Sequence, residues 1–494
     1  MLDRLAARGD APDHARDAEQ FLAWAAASDD EFDGPVPLSR YLAALRAGRP
    51  DLLDAFPQVP GLDVSALREW ARLHGRTEVP LAERFVPPAL AESAAPYLQA
   101  GVNLAGFLTA ELGVGELARR VAVSLRAGSI PFATTTFAST TNRTAVEFAA
   151  DTEPRFDTNL VCVNADSWGR FAQRVGPRFF ANRYTIAVWF WETSIFPSMF
   201  ESAFRGVDEI WTASAYVADV LRRAAPASID VHEFPVPVIA PTPSAVDMHD
   251  RLGLAPQRPY FLTSFDYNSI VERKNPMGAM RAFMQAFPHS DGPVLVVKSI
   301  NGARHPADVA RLQALINDRT DIVMHDDYLD VADNMALLAQ AACFVSLHRA
   351  EGYGFNIVDA IALGVPVVAT GYSGNLTFSS DDGSWLVPAS EMAVGEGSFP
   401  YEPTALWGDP DLATATRYLI EIASDPNSAR ERAARGRAHV LTTFTAERTG
   451  LFIRNHVAAT RAARESRAVR SQQPTRSLLV RPARRLRRLV RPRS

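Results

Sequence analysis

The sequence predicts an α/β protein, with two doubly wound parallel-sheet domains in series behind a short helical extension. Three observations carry this. Strand-like apolar runs alternate with helical stretches from Gly101 onward, the pattern of βαβ units. The alternation restarts at Tyr260, after a stretch holding Pro235, Pro237, Pro241 and Pro243 that reads as an interdomain linker. Finally, 494 residues exceed one ordinary core, while 47% apolar content is that of a globular chain.

The extension, residues 1–95, is rich in Ala, Leu and acids. Helical periodicity runs over Asp17 to Ala27 and Leu38 to Ala47, broken by Pro50, Pro57, Pro60 and Pro80, and Val86-Pro87-Pro88 reads as an exit linker. The first α/β domain is expected over 96–240. Its strands are Val102 to Phe107, Thr158 to Val163, Tyr184 to Trp191 and Glu209 to Thr212. A loop with Gly113 and Gly115 precedes a helix from Glu116 to Ala127, and Ser214 is placed to cap a helix from Ala215 to Arg223. The second domain is expected over 241–440. Its strands are Phe261 to Phe265, Val294 to Ser299, Ile322 to Met324, Cys343 to Leu347 and Val365 to Ala369, with helices between them at Pro276 to Ala286 and Ala307 to Ile316. A helix over 441–460, crossing back to the first domain, and an Arg-rich tail over 461–494 complete the chain.

The most informative segment is His348-Arg349-Ala350-Glu351-Gly352-Tyr353-Gly354-Phe355-Asn356-Ile357-Val358-Asp359, followed by a small-residue helix and the strand Pro366-Val367-Val368. Gly352 and Gly354 permit a tight turn, Asn356 is the expected N-cap, and Gly364 with Pro366 ends the helix. Unfilled N–H groups at such a helix start suit a phosphate. This order of features resembles the donor-site signature of family-4 retaining glycosyltransferases: Glu, a Gly-aromatic-Gly turn and a second acid eight positions on. The family usually has Glu at the second acidic position, where this chain has Asp359. The resemblance spans about residues 100 to 460 and implies the GT-B architecture, two Rossmann-like domains facing across a cleft.

What the resemblance implies for the site follows residue by residue. Glu351 contacts hydroxyls of the donor sugar near the reacting carbon, and Asp359 the ribose hydroxyls. The N–H groups of Phe355, Asn356 and Ile357, with Gly354, hold the distal phosphate. Lys274 matches the basic residue that contacts the donor diphosphate. Arg273 shares that role, because Thr263-Ser264-Phe265 stands where the family has another arginine. Glu351, Lys274 and Arg273 are thus the expected catalytic set, with no protein nucleophile named. Physically, two cations before a helix N-terminus are unfavourable unless an anion neutralises both. His348, at a strand end, is a further donor-side candidate. Gly113 and Gly115 form a Gly-x-Gly loop that borders the cleft in GT-B transferases, and with Ala118 at the third position a dinucleotide site has compatible spacing. On the acceptor side stand Asp166, Trp191 and Glu192. Alternation puts Trp189 and Trp191 on one face, where aromatic rings stack on sugars or simply pack a core.

Composition narrows the classes. No apolar run approaches the ~18 residues of a membrane span, and Met1-Leu2-Asp3-Arg4 lacks signal-peptide character. Cys162 and Cys343 sit in apolar runs and read as buried thiols of a cytoplasmic protein, and no Cys/His cluster has zinc spacing. The net charge of −5 conceals an asymmetry: residues 461–494 hold twelve Arg and one Glu, +11, which leaves −16 on the other 460 residues. Arginines interleaved with Leu and Val in that tail suit an anionic membrane surface, and nucleic acid is not an expected partner. The expectation is a metal-independent retaining hexosyltransferase with no cofactor. It would use a nucleotide-diphosphate sugar and a glycan or lipid-linked acceptor, in cell-envelope polysaccharide synthesis at the inner face of the membrane. Alternatives are an epimerase or phosphorylase on the same fold, a nicotinamide oxidoreductase built on Gly113 and Gly115, or an inactive scaffold.

Overall fold

A computed structural model describes residues 98–149 and 151–472 and, before them, 5–6, 8, 10–13, 16–27, 38–59 and 63–73. The expected exit linker at Val86-Pro87-Pro88 and the arginines from Arg476 onward lie outside the described residues. The N-terminal helices α1 (Ala18–Ala26), α2 (Arg40–Ala47), α3 (Pro50–Ala55) and α4 (Val64–Leu73) pack around Phe21, Tyr41, Leu42 and Leu67. Asp17 and Ser39 cap α1 and α2 by accepting from Gln20 and Leu42 N–H.

The first domain runs β1 (Gln99–Gly106), α5 (Gly113–Ala127), β2 (Phe132–Thr136), β3 (Phe156–Cys162), α6 (Ala165–Val175), β4 (Tyr184–Val188), β5 (Glu209–Thr212), α7 (Ala215–Ala224) and β6 (Asp230–Glu233). Its six strands are all parallel, in the order β2-β1-β3-β4-β5-β6. Strand order therefore reverses between β1 and β3, and α5 and α6 start beside that point. Helix α5 begins at Gly113 rather than Glu116, so both loop glycines sit in its first turn. Strand β4 stops at Val188, short of the tryptophans.

The second domain runs β7 (Tyr260–Asp266), α8 (Val271–Lys274), α9 (Pro276–Ala286), β8 (Val294–Ile300), α10 (Pro306–Ile316), β9 (Ile322–Asp326), α11 (Val331–Ala339), β10 (Cys343–Ser346), α12 (Phe355–Leu363), β11 (Val367–Thr370) and β12 (Trp385–Val387). The order β12-β11-β10-β7-β8-β9 reverses between β7 and β10. Ligands of doubly wound sheets bind beyond the carboxyl ends of the strands at such a reversal. The Lys274 segment follows β7 and the Glu351 turn follows β10, so topology alone brings both to one place. A hairpin, β13 (Ala389–Ala393) and β14 (Leu406–Pro410), projects from this domain. Helices α13 (Leu412–Ser424), α14 (Pro426–Thr443) and α15 (Ala446–Gln472) close the described chain.

Helix α15 returns to the first domain and lies against α5. The crossing is glycine on glycine. A Cβ on Gly128 would stand 2.8 Å from Gly450 O, and one on Gly450 would stand 2.4 Å from Ser124 O. Further along, Phe452 packs on Trp211, and Arg461 pairs with Asp157 at 2.5 Å. The helix continues through the residues expected to begin the tail, as far as Gln472. Among the described residues no helix is long and apolar enough to cross a membrane. Cys162 and Cys343 are free, buried thiols, and burial raises both well above the usual thiol range.

Candidate active site

A cleft of about 1170 Å³ opens between the two domains at the carboxyl ends of both sheets. On the second-domain side, α12 starts from Gly354, whose φ of 99° favours glycine. The capping residue is thus Gly354 and not Asn356, which lies inside the first turn. No side chain caps this helix. The N–H groups of Phe355 and Asn356 have no acceptor among the described residues, whereas the Ile357 N–H already donates to Gly354 O at 3.1 Å. Two orphan donors, not three, face the cleft at a helix N-terminus. Gly354, Phe355, Asn356 and Ile357 all line the wall.

The cations reach the same point from the end of the neighbouring strand, β7. Asn275 adopts left-handed backbone (φ 49°) and breaks the chain between α8 and α9. Its side chain accepts from Gly278 N–H at 3.1 Å and donates to Leu347 O at 2.8 Å, which ties the Lys274 segment to the end of β10. A Cβ on Gly278 would collide with this Asn275 side chain at 2.4 Å. The Lys274 ammonium donates to one carboxylate oxygen of Glu351, and Arg273 lies 3.3 Å from the other. Arg273 also donates to Ala350 O at 2.9 Å. The anion that compensates the two cations is therefore Glu351 itself, while Glu272, a neighbour on α8, pairs with Arg311.

Burial pushes the Glu351 carboxyl up, but Lys274, Arg273 and His348 outweigh it and hold it at about 2. Glu351 is a permanent carboxylate at working pH, an acceptor for hydroxyls and not a proton donor. Burial lowers Lys274, with Glu351 opposing.

His348 is fully buried behind this group. Its ring contacts Ser346 Oγ at 3.0 Å and Asn375 Oδ1 at 3.1 Å, and it does not line the cleft. The expectation that it touches a donor is corrected: the ring supports the Glu351 turn from within. Gly115 is likewise off the wall. A Cβ there would lie 2.6 Å from Phe107 O and 2.7 Å from Ala110 O, so packing explains this glycine. Gly113 does border the cleft, 3.7 Å (from its ideal Cβ) from the Phe355 ring.

Asp359 is buried, and its partner is Arg120 of α5, 2.6 Å away across the domain boundary. Arg120 also donates to Glu116 at 2.7 Å and stacks over Phe355. Burial raises Asp359, and the arginine offsets this only in part. The carboxylate expected to stand free for ribose hydroxyls is thus already hydrogen-bonded. Arg120 Nη1 has no partner among the described residues. Neither Arg120 nor Glu116 was a sequence-level candidate, although their i,i+4 spacing after the glycine turn was visible.

On the first-domain side, Asp166, Trp191 and Glu192 line the cleft. Asp166 lies in the first turn of α6, and burial followed by the Glu192 charge raises its carboxyl. Glu192 accepts from Tyr401 at 2.9 Å and stands 3.9 Å from Arg273, so a hairpin residue of the second domain bridges to the first. The two tryptophans are placed differently, and only Trp191 reaches the cleft. Trp189 is wholly buried off the wall, and Trp191 packs against Phe196, Phe200 and Tyr401 while its N–H donates to Ile195 O at 2.7 Å. Lys298, one of two lysines in the chain, also borders the cleft. Burial lowers it to about 8 despite Asp326 and Asp327.

Two doubly wound domains enclosing a cleft at both sheet reversals make this a protein of the GT-B fold. Residues 221–450 match the profile of "Family 4 Glycosyltransferase in conflict systems", so over that stretch the chain is similar to family-4 glycosyltransferases. Similar solved structures include sucrose-phosphate synthase of Thermosynechococcus elongatus (16% identity, TM-score 0.54, covering 74% of this chain and 100% of that one). Anabaena Alr3699/HepE, solved with UDP and glucose, shows 12% identity and a TM-score of 0.53 over 73% of this chain and 100% of that one. A Rickettsia africae glycosyltransferase gives 12% and 0.51 over 73% and 98%. At these identities the likeness speaks for the fold. No curated protein sequence matches the chain.

Proposed function

We propose that the enzyme transfers a hexose, with retention, from a nucleotide-diphosphate sugar bound in this cleft to a glycan or lipid-linked acceptor. The observation that supports this most is the joining of Lys274 and Arg273, the Glu351 carboxylate and the open α12 N-terminus in one wall. Negative charge builds on the leaving diphosphate during transfer. Fixed donors and cations aimed at that charge are the largest electrostatic aid a protein can supply. Glu351, ionised throughout, accepts hydrogen bonds from sugar hydroxyls. Glu192 and Asp166 face the acceptor side. The leaving phosphate takes the acceptor proton on the same face, so no protein nucleophile is required. The cations already present carry the neutralising role, and added Mg²⁺ or Mn²⁺ is expected to leave the rate unchanged. A UDP sugar is the first donor to try, since HepE, of similar fold, was solved with UDP and glucose.

The test is a thermal-shift panel of nucleotide sugars on the full chain. A donor at 100 times its Kd stabilises by about 2.7 kcal/mol. Stabilisation by one nucleotide sugar, followed by transfer with retained anomeric configuration, supports the reading. Stabilisation by NAD(H) alone, with none by any sugar nucleotide, overturns it.

A further inference from the structure

Away from the cleft, three side chains from three elements converge on one point. Glu209 opens β5, His232 lies on the edge strand β6, and His456 lies on the returning helix α15. His456 Nε2 stands 2.6 Å from Glu209 Oε1, and His232 Nε2 stands 3.6 Å from the same oxygen. The two rings meet edge-on, with their centroids 5.0 Å apart. All three ligand atoms lie within 4.8 Å of one another, and none of these residues lines the cleft. Among the described residues, the His232 ring makes no hydrogen bond of its own.

We propose that Glu209, His232 and His456 form a divalent transition-metal site, most suited to Zn²⁺, that clamps α15 to the edge of the first sheet. Two imidazoles and one carboxylate, with a fourth position open to water, are an established zinc ligand set. The site also has the outer layer that holds metal ligands in place. Tyr184 donates to Glu209 Oε2 at 2.9 Å and the Trp211 indole donates to Oε1, so the buried carboxylate is held from two sides. Asp208 and Asp230 add negative charge beside Tyr184, with Arg464 opposing Asp208. The His232 side chain, 43% exposed, leaves an entry path from solvent. The metal takes the place of the Nε2 proton between His456 and Glu209 Oε1, and the ring binds as the neutral Nδ1–H tautomer: a neutral ring moves that proton to Nδ1 through solvent, and a charged ring releases it to solvent. The clamp joins a helix that follows the second domain to the sheet of the first.

The experiment uses the full, tag-free chain, treated with EDTA and exchanged into chelator-free buffer. It is titrated with Zn²⁺ against a chromophoric competitor, and its Tm is read with and without Zn²⁺. The wild type is expected to bind one Zn²⁺ equivalent and to gain Tm. His232→Ala, at an exposed position that leaves the fold intact by circular dichroism, and His456→Ala each lose that equivalent. Tyr184→Phe weakens it by about 10- to 100-fold. A wild type whose Tm ignores Zn²⁺, or a His232→Ala variant that binds as tightly as wild type, overturns the proposal.

Discussion

Arg120 of the first domain and Asp359 of the second form a buried ion pair, 2.6 Å apart, at the back of the cleft. The two residues are 239 positions apart in sequence, and Glu116 completes the group from one turn earlier on α5. The pair couples the interdomain packing to the helix whose N-terminus is the proposed phosphate site. Arg120→Ala leaves Asp359 a buried carboxyl without its partner and is expected to cost about 3–5 kcal/mol in urea unfolding. The double replacement Arg120→Met with Asp359→Leu is expected to recover most of that loss. A single-variant loss no larger than that of an exposed pair, about 0–1 kcal/mol, would show that the two domains do not depend on it.

Asp359→Glu restores the acid usual in the family, and by sequence alone it should be tolerated or improve donor affinity. The packed Arg120 changes that expectation. An extra methylene in this buried position overpacks it, at a cost of about 1–3 kcal/mol. The variant is therefore expected to show a lower Tm, with donor affinity read separately by calorimetry. A Tm equal to or above wild type contradicts this.

Glu351 gives the protein a pH dependence whose sign is fixed. Its carboxyl is held at about 2 in the folded state against 4.5 as the reference value. The folded state thus binds this proton more weakly than the unfolded chain. The stabilisation is fully present above about pH 4.5 and is lost as pH falls towards 2. The difference in unfolding free energy between wild type and Glu351→Gln is expected to shrink across that window. A constant difference from pH 6 down to pH 3 would mean that the Lys274 and Arg273 contacts do not hold the carboxylate.

The Arg-rich stretch 473–494 is proposed to bind anionic membrane surfaces, at about 1 kcal/mol per cation near the surface. Sedimentation with vesicles containing anionic lipid should show salt-sensitive binding by the full chain. Deleting residues 473–494 should abolish it while transfer to a soluble acceptor persists. Equal sedimentation of both proteins sinks this reading.

Much of the cleft was legible because its parts are local in sequence. The Glu351 turn, the Gly364 helix end and the Asn275-Pro276 helix start are set by residues within a few positions of one another. The two cations before a helix called for an anion, but chain order could not say that Glu351, some 77 positions on, supplies it. Asn356 read as a cap because its side chain suits one. The backbone instead enters α12 through left-handed Gly354, and φ is not written in a side-chain preference. Gly115 and His348 looked functional because glycine and histidine serve both packing and binding, and only their burial separates the two. Arg120 and Tyr401 meet their cleft partners, Asp359 and Glu192, across 239 and 209 positions of sequence, a separation that no short spacing encodes.

The most direct measurement is the affinity of the stabilising nucleotide sugar for wild type and Lys274→Ala, by titration calorimetry, with circular dichroism verifying the fold. Removing one charge-assisted phosphate contact is expected to cost about 1.5–3 kcal/mol, roughly ten- to 150-fold in Kd. The variant should lose transfer in parallel while remaining folded. An unchanged Kd and kcat/KM for that donor would contradict the placement of the diphosphate at Lys274.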